Sequence, residues 1–414
     1  MIPGNESLPR RAWLIVGLLW IVACLNYLDR LILITMRSSI KAEITMTDAQ
    51  FGLLTTVFLV VYGLLSPLGG FIADKFNRSR IIIFSLFAWS ATTWLTAHAN
   101  SLTELLVYRS LMGISEACYF PAAGALIMDY HRNRTRSLAN GIHLSGVMVG
   151  SGLGGLGGYI ADQHDWRFVF ELFGVAGVIY ALVLLAFLRD RPRSVVVEPI
   201  VPKLSRVRLG EALISLFSRR AYVFMFLFWG LLGVASWAFA GWLPTYLHEQ
   251  FAMSQGRAGL TALGYIYSAS LLGMVVGGFW ADRWSRSNVR GRVLVGVLGI
   301  AVAIPGVLMV SNVPILWVVL AGMVLYGFTR PFPDANMVPI LCQIVDPRYL
   351  ATGVGVLNMF AVLIGGLTIY IGGVVRDAQI SITTLFNCGA VGLLLCATLL
   401  WLVRPKSDST QPAP

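Results

Sequence analysis

The stretch "GGFIADKFNRSR" at Gly69–Arg80 joins two long apolar segments and has a close copy elsewhere in the chain. That copy, "GGFWADRWSRSN", occupies Gly277–Asn288, so that Asp74 recurs as Asp282. A second pair, "LANG" at Leu138–Gly141 and "LATG" at Leu350–Gly353, repeats at nearly the same offset along the chain. Two similar offsets in two different loops indicate an internal duplication, so each half of the chain repeats one structural unit.

The apolar segments between these loops are long enough to cross a membrane. Apolar residues make up 57% of the 414 residues and charged residues only 12%, about half the charged share of a typical soluble protein. A run of about 20 apolar residues spans the hydrocarbon core as a helix. The predicted spans are 12–37, 49–72, 80–99, 102–128, 138–160, 167–188, 221–247, 257–281, 291–311, 314–341, 350–374 and 380–403. The sequence therefore predicts an all-α polytopic membrane protein with twelve transmembrane helices in two pseudo-symmetric six-helix halves.

The widest gap between spans carries many basic residues and divides six spans from six. We expect an N-terminal half at residues 1–188, a basic cytoplasmic linker at 189–220, a C-terminal half at 221–403 and a cytoplasmic tail at 404–414. With both termini in the cytoplasm, 23 of the 31 Lys and Arg lie on the cytoplasmic side, five lie opposite and three lie within spans. This asymmetry follows the positive-inside rule. The net charge of +11 thus indicates contact with an anionic bilayer and not with nucleic acid.

The sequence lacks the motifs of nucleotide-driven motors and of metal-dependent hydrolases, and its dinucleotide-like pattern lies in the wrong context. The pattern GxGxxG at Gly152–Gly157 lies inside a predicted span with no strand before it, so we expect close helix packing there and not a dinucleotide site. The sequence contains no GxxxxGK[ST] or HExxH motif, and its five cysteines match no metal spacing. We therefore expect no enzyme activity, no metal and no cofactor.

Charged side chains inside spans are costly and point to function. They are Asp29 and Arg30 in span 1, Arg109 and Glu116 in span 4, and Arg330 and Asp334 in span 10. At a rise of about 1.5 Å per residue, Asp29 and Arg109 reach similar depths, which predicts an ion pair between them. Glu116 lies two turns further along the face of Arg109 and has no obvious permanent partner, although Arg30 can reach between the two.

These groups predict a proton-coupled anion site. A carboxylate changes its proton affinity when its surroundings become wet or dry, so Asp29 and Glu116 are the predicted protonation sites, with Arg109 as the partner of Asp29. The forked guanidinium of Arg30 suits a carboxylate or phosphate of the substrate. Asn26, one turn from Arg30, extends the same polar face of span 1. A static network that only joins helices is the alternative for Asp29 and Arg109.

The repeated loop resembles the signature loop between spans 2 and 3 of the major facilitator superfamily. The resemblance implies a cytoplasmic latch, for which the first copy supplies Asp74, Lys75, Arg78 and Arg80 and the second copy supplies Asp282 and Arg283. A solvated basic turn is the alternative for this loop. Separately, Arg330 and Asp334 flank Pro331 and Pro333, which predicts a kinked, ion-paired gate near the inner end of span 10.

Two further stretches resemble one branch of that superfamily. "NYLDR" at Asn26–Arg30 and "RSLMGISEACYFP" at Arg109–Pro121 are similar to the anion:cation symporters, which include hexuronate, aldonate and sialin-like carriers. The resemblance implies that the span 1 Asp and span 4 Glu bind protons and that the span 1 Arg holds the anion. It also implies that Tyr27, Tyr62 and Asn358 line the substrate, and the aromatic span 7 adds Trp237 as a candidate.

The sequence also resembles a second branch of the superfamily. Several sugar-acid carriers have a polar amide in span 5 near Val147–Met148, which this chain lacks, although His143 and Ser145 lie close by. "SGLGGLGGYIAD" at Ser151–Asp162 and "RTRSLANG" at Arg134–Gly141 resemble the spinster branch, which resembles lipid-phosphate exporters and has the same Asp/Arg and Glu positions. The buried charges therefore do not separate the two branches.

Together these features predict a secondary active transporter, most simply a proton symporter for a small organic anion such as a sugar acid, working by alternating access. We expect a monomer in a bacterial inner membrane, with the proton as its coupling ion. A spinster-like exporter of a lysolipid or phosphorylated amphiphile is the alternative within the same class. A substrate sensor that binds without transporting is the alternative from another class.

Overall fold

The computed structural model describes residues 10–131, 135–190 and 209–404, and these residues form α-helices and turns without a strand. The helices are α1 (Arg10–Thr35), α2 (Arg37–Glu43), α3 (Asp48–Lys75), α4 (Arg78–Thr96), α5 (Leu102–Glu116), α6 (Tyr119–Tyr130), α7 (Arg136–Leu153), α8 (Leu156–Gln163), α9 (Trp166–Phe187), α10 (Leu209–Phe217), α11 (Arg220–Gln250), α12 (Gln255–Ser285), α13 (Gly291–Asn312), α14 (Leu316–Thr329), α15 (Phe332–Ile344), α16 (Leu350–Asp377) and α17 (Ile382–Leu402). The all-α polytopic prediction is confirmed.

The helices coincide with the predicted spans. Eleven segments in the described part of the chain are long and apolar enough to cross a membrane. The twelfth predicted span corresponds to α4, which has 19 residues and is interrupted by hydroxyl side chains. Its buried hydroxyl residues are Ser79, Ser85, Ser90, Thr92, Thr93 and Thr96. Arg78 and Arg80 in its first turn, together with these hydroxyls, make α4 too polar to be counted with the other eleven segments.

Three of the spans are broken in the middle. Leu102–Tyr130 consists of α5 and α6, Leu138–Gln163 of α7 and α8, and Leu316–Ile344 of α14 and α15. The last break lies at Arg330 and Pro331, and Arg330 is the central residue of its span. The prediction that Arg330 lies near the inner end is therefore wrong. Pro331 interrupts the helix but does not end the span, because proline is tolerated where a new helix begins.

Residue contacts divide the chain into two compact units. The first comprises Met1–Met46, Leu53–Ser194 and Leu247–Gly264, and the second comprises Thr47–Gly52, Val195–Tyr246 and Tyr265–Pro414.

Two short helices, α2 and α10, were not predicted. α10 lies in the basic linker and buries Ala212 and Leu216, one turn apart, on a single face. The basic residues of the linker between 191 and 208 lie outside the described residues.

Close packing of α1 against α7 and α8 organises the first unit. A Cβ atom added to Gly150 of α7 would overlap the backbone carbonyl group of Cys24 in α1. Farther along α1, the amide of Gly158 in α8 donates to Oγ1 of Thr35 over 3.0 Å. The glycine-rich stretch at Gly152–Gly157 therefore lies in a tight helix contact, as predicted, and small residues allow this approach.

In the second unit, an aromatic cluster fixes the position of α14. The ring of Phe239 in α11 lies 4.5 Å from that of Tyr326 in α14 and 4.9 Å from that of Phe386 in α17, measured between centroids. Arg330 follows Tyr326 by one helical turn, so the cluster sets its orientation. Elsewhere in this unit, Arg376 at the end of α16 donates to Oδ2 of Asp48 over 2.8 Å.

Candidate functional site

A polar face of α1 lies in the interior of the first unit. Asn26, Asp29 and Arg30 are all buried, with exposed fractions of 0%, 2% and 3%. The helix is continuous through these residues. The apolar side chains around them, such as Leu28 and Leu31, are equally buried. The charged groups thus lie where water does not screen them, and their mutual interactions are strong.

Arg30 is paired with Glu116. Its Nε donates to Oε2 of Glu116 over 2.8 Å, and both side chains are closed to solvent. Three aromatic rings surround the guanidinium, with centroids 4.7 Å (Tyr27), 5.1 Å (Phe58) and 4.4 Å (Tyr62) from its central carbon. Glu116, for which no obvious permanent partner was expected, is thus paired with Arg30 in this structure, and the ring faces hold the fork of Arg30 toward it.

The predicted ion pair between Asp29 and Arg109 does not form. Among the described side chains no carboxylate lies within ion-pair distance of Arg109. Its Nε donates instead to the carbonyl oxygen of Leu54 over 3.3 Å, and its Nη1 donates to Sδ of Met112 over 3.2 Å. Its guanidinium lies 4.8 Å from the ring centroid of Phe58. The charges of Asp29 and Arg109 are close enough to interact, but across more than the distance of an ion pair.

Asp29 faces α4 instead. The side chains of Trp89 and Thr93 lie next to its carboxylate. Trp89 Nε1, Thr93 Oγ1 and Asp29 Oδ1 are all buried without a hydrogen-bond partner in the described structure. Because Trp89 and Thr93 face the Asp29 carboxylate, their N–H and O–H groups are placed to donate to it when it is ionised. Trp89 and Thr93 were not predicted as site residues. The run of hydroxyl residues in α4 is the sequence signal that could have indicated a polar face there.

The same region contains further unpaired atoms. They belong to the buried side chains of Asn26 (Oδ1 and Nδ2), Arg30 (Nη2), Thr55 (Oγ1), Arg109 (Nη2) and Glu116 (Oε1). These atoms comprise both donors and acceptors, so they can bind a ligand that carries both. The candidate site of the first unit is therefore defined as Asn26, Asp29, Arg30, Arg109 and Glu116, with Tyr27, Phe58, Tyr62, Trp89 and Thr93 around them.

The two candidates that lie near the missing amide of span 5 are already engaged. His143 Nε2 lies 2.9 Å from the hydroxyl of Tyr119, which also donates to the carbonyl oxygen of Leu19 over 3.0 Å. Ser145 Oγ accepts a hydrogen bond from Trp20 Nε1 over 3.0 Å. Both residues thus join α7 to neighbouring helices in the first unit.

Two predicted substrate residues belong to the second unit. Asn358 is exposed, and its Oδ1 accepts a hydrogen bond from Trp229 Nε1 over 3.4 Å. Trp237 packs against Gly365, where an added Cβ would overlap the indole ring. Gly365 thus leaves the space that the indole of Trp237 occupies.

Arg330 and Asp334 form an ion pair in the second unit, four residues apart. Nε of Arg330 also donates to Oγ of Ser236 in α11 over 2.9 Å. About one fifth of each charged side chain is exposed, 22% for Arg330 and 21% for Asp334. The predicted ion pair is therefore present, although at the middle of its span.

The predicted latch residues have several different partners. The Asp74 side chain lies outside the described residues, and Lys75 and Arg80 are exposed. Arg78 pairs with Asp129 at the end of α6. In the second copy, Asp282 pairs with Nη2 of Arg292 over 2.6 Å, and Arg283 is exposed. Each described pair joins two helices within one unit.

Comparison with known proteins identifies relatives across nearly the whole chain. A family model described as the Major Facilitator Superfamily matches residues 19–368. The sphingosine-1-phosphate transporter SPNS2 of Xenopus tropicalis is 28% identical over 436 residues, covering 96% of this chain and 83% of its own. The D-galactonate transporter of Escherichia coli is 26% identical over 396 residues, covering 89% and 90%. The hexuronate transporter of Bacillus subtilis is 22% identical over 354 residues, covering 78% and 81%.

A solved structure supports the same fold. A bacterial homologue of the human lysosomal transporter spinster, in an inward-facing and unoccupied conformation, superposes with a TM-score of 0.79 at 22% identity. The match covers 97% of this chain and 98% of that one. Both branches that the sequence resembles are thus represented among the relatives, and they are transporters.

Proposed function

The chain belongs to the Major Facilitator Superfamily, and from this premise we propose that it is a proton-coupled symporter of a small organic anion such as a sugar acid. One observation carries the proposal: the buried ion pair between Arg30 and Glu116, next to Asp29, in the first unit. D-galactonate and hexuronate, which the named relatives transport, are the first substrates to test.

Charge balance supports coupling between the anion and the proton. The buried site contains two acids, Asp29 and Glu116, and two guanidinium groups, those of Arg30 and Arg109. With both acids ionised the four charges cancel, so an anion that enters alone leaves a net negative charge in a poorly hydrated interior. Such a charge is costly, and a proton taken up by a carboxylate removes it. Anion and proton therefore bind best together.

The Arg30–Glu116 pair also suggests the order of events. A proton on Glu116 weakens its attraction to Arg30 and leaves the guanidinium free to receive the substrate carboxylate in the bidentate manner typical of Arg. Loss of the proton restores the pair and expels the anion. Asp29, beside Trp89 and Thr93, is the second proton site. Alternating access carries both ligands across, and no cofactor takes part.

Location and assembly are further parts of the proposal. The excess of Lys and Arg in alternate loops supports cytoplasmic termini in a bacterial inner membrane. We also propose that the protein works as a monomer, because the residues of the candidate site all belong to one compact unit of the chain.

A second candidate function is export of a lysolipid or phosphorylated amphiphile. The similarity to the sphingosine-1-phosphate transporter SPNS2 favours it, because that relative matches 96% of the chain. Arg30 would then hold a phosphate and not a carboxylate, since a guanidinium binds both.

Uptake into proteoliposomes tests these proposals. Purified protein is reconstituted, and accumulation of labelled D-galactonate, hexuronate and a lysophospholipid is measured with and without an inward proton gradient. Accumulation of a sugar acid that rises with the gradient supports the symporter. Lysolipid flux without sugar-acid flux supports the exporter. Binding of a sugar acid with no accumulation of any of the three compounds would identify a sensor and overturn both transport proposals.

A further inference from the structure

The Arg330–Asp334 pair lies at the middle of an apolar span but remains partly exposed. Arg330 is the central residue of the span Leu316–Ile344, which is long and apolar enough to cross a membrane, so we expect this residue near mid-membrane depth. Both side chains nevertheless keep about one fifth of their surface exposed. Ion pairs at this depth do not face lipid, because hydrocarbon offers them neither water nor hydrogen bonds. The exposed part of the pair therefore faces a polar space.

The internal duplication places this pair at the counterpart of the first site. Glu116 is the last residue of α5, and Arg330 directly follows the last residue of α14. Counted from the helix starts at Leu102 and Leu316, the two residues occupy the same position, and each stands at the break of a two-part span.

Ser236, which accepts a hydrogen bond from Arg330, also lies at a position that corresponds to a residue of the first site. Ser236 in α11 and Asn26 in α1 occupy the same position when counted from the first residues of their helices, Arg220 and Arg10. The second unit thus presents polar groups at the repeat positions of the first site.

A gate does not explain the pair well. Arg330 and Asp334 are i, i+4 neighbours across a single helix break, so their ion pair does not hold two separate spans together. The bond from Arg330 Nε to Ser236 Oγ, over 2.9 Å, reaches α11, a different span. The pair is better suited to binding a ligand, because it holds the N–H donors of Arg330 and the carboxylate acceptors of Asp334 in fixed positions.

We propose that Arg330, Asp334 and Ser236 recognise the hydroxyl groups of a polyhydroxylated acid. A hydroxyl group both donates and accepts a hydrogen bond. Adjacent hydroxyls can accept from the Arg330 guanidinium and donate to the Asp334 carboxylate without breaking the ion pair. This assignment rests on the proposed function and narrows its substrate to acids with several hydroxyls.

The same chemistry disfavours an alkyl chain at this place. A chain packed over Arg330 and Asp334 would remove water from both charges and offer no hydrogen bond in return, which is costly. Sites that bind a hydroxyl through buried polar groups discriminate strongly against analogues that lack it. The second unit therefore favours a sugar acid over a lysolipid.

Two acids with the same carbon skeleton test the proposal. D-galactonate and 2-hydroxyhexanoate both have six carbons and one carboxylate, but only the first carries hydroxyls along the whole chain. We expect the ratio of their kcat/KM values in proteoliposomes to fall at least tenfold in Asp334→Asn and in the milder Ser236→Ala, mainly because KM for D-galactonate rises. Asp346→Asn, which disrupts an exposed Asp–Arg pair, should leave the ratio unchanged.

The outcomes separate this inference from the proposed function. If the wild type accumulates D-galactonate and both variants keep the wild-type ratio, hydroxyl recognition by this pair is wrong and the symporter proposal stands. An equal loss for both acids, with the ratio unchanged, would mean that the pair only stabilises the fold. If the wild type accumulates neither of these acids nor hexuronate, the proposed function fails and this inference fails with it. If Asp334→Asn does not fold, the ratio measured for Ser236→Ala alone decides the test.

Discussion

Arg30 and Glu116 form an ion pair that is closed to solvent, with 2.8 Å between Nε and Oε2 and exposed fractions of 3% and 0%. An isolated charge in such surroundings is costly, so each group depends on the other. Removing either charge alone should therefore have larger effects than an exposed pair would show, and the effects should differ in kind for the acid and the base.

Glu116→Gln should separate transport from proton coupling. The amide keeps the shape of the side chain and can still accept a hydrogen bond from Arg30, but it binds no proton at neutral pH. We expect gradient-driven accumulation of substrate to fall at least tenfold while exchange of labelled for unlabelled substrate persists. Glu171→Gln, at an exposed position of α9, is the matched control and should keep both activities. Gradient-driven accumulation by the Glu116 variant would exclude this carboxylate as the coupling site.

Arg30→Lys should weaken substrate binding more than it weakens folding. Lysine keeps the charge but loses the planar fork that binds a carboxylate bidentately and stacks on Tyr27 and Tyr62. We expect KM for the transported acid to rise about tenfold, equivalent to about 1.4 kcal/mol of lost binding. Exposed Arg283→Lys should leave KM unchanged. An unaltered KM in Arg30→Lys would remove this residue from the substrate site.

The sequence located the charged groups of the site but not their pairing. Charges in an apolar segment stand out, so Asp29, Arg30, Arg109 and Glu116 were all identified. Their pairing depends on the rotation of each helix, which apolar flanks on all sides do not reveal. Depth alone suggested Asp29 with Arg109, whereas the helix rotation turns Arg30 toward Glu116. Neighbouring residues on a helix point about 100° apart, enough to exchange partners.

Other features escaped prediction because their signals are weak or misleading. Ser and Thr in a span are common packing residues, so the run of hydroxyls in α4 was a weak signal that Trp89 and Thr93 lie beside Asp29. Pro331 and Pro333 predicted a kink, and the helix is interrupted there before it resumes at Phe332 and continues to Ile344; the position of Arg330 along the span was misjudged. The number and order of the spans were predictable, because long apolar runs and the repeated loops define them.

Gly150→Ala should destabilise the first unit. A Cβ at this position would overlap the backbone of Cys24, and two packed helix backbones cannot move apart without losing their other contacts. We expect a loss of at least about 2 kcal/mol in the free energy of unfolding, as for overpacked cores. Gly141→Ala in the same helix meets no atom within 4 Å and should be neutral or slightly stabilising. Thermal unfolding in detergent distinguishes the two, and equal melting temperatures would contradict the packing assignment.

Asp346 should not contribute to the pH dependence of transport. It lies outside the spans, where hydrogen bonds from the Arg348 side chain and backbone lower its pKa to about 2. Because the folded pKa is depressed, its stabilising effect is fully present above the unfolded value of about 3.9 and is lost as pH falls through about 2. We expect Asp346→Asn to leave the pH profile of uptake unchanged from about pH 5 to about pH 8, where this carboxylate stays ionised. A shifted profile would contradict the assignment.

Charge neutrality of the buried site can be tested through Arg109. Its guanidinium is 1% exposed and has no carboxylate partner within ion-pair distance in the described structure, so it acts as one of four balanced charges and not as half of a pair. Arg109→Gln leaves two acids against one guanidinium, and we expect a loss of about 3 kcal/mol or more in stability, as for other uncompensated buried charges.

The double variant decides between neutrality and local bonding. Asp29→Asn restores the balance in an Arg109→Gln background, so the double variant should recover at least about 1 kcal/mol relative to the sum of the single losses. Melting temperatures of the four proteins in one detergent provide the measurement. If the losses are simply additive, the hydrogen bonds of Arg109 to Leu54 and Met112 explain its role, and the charge-balance basis for coupling the anion to a proton would have to be abandoned.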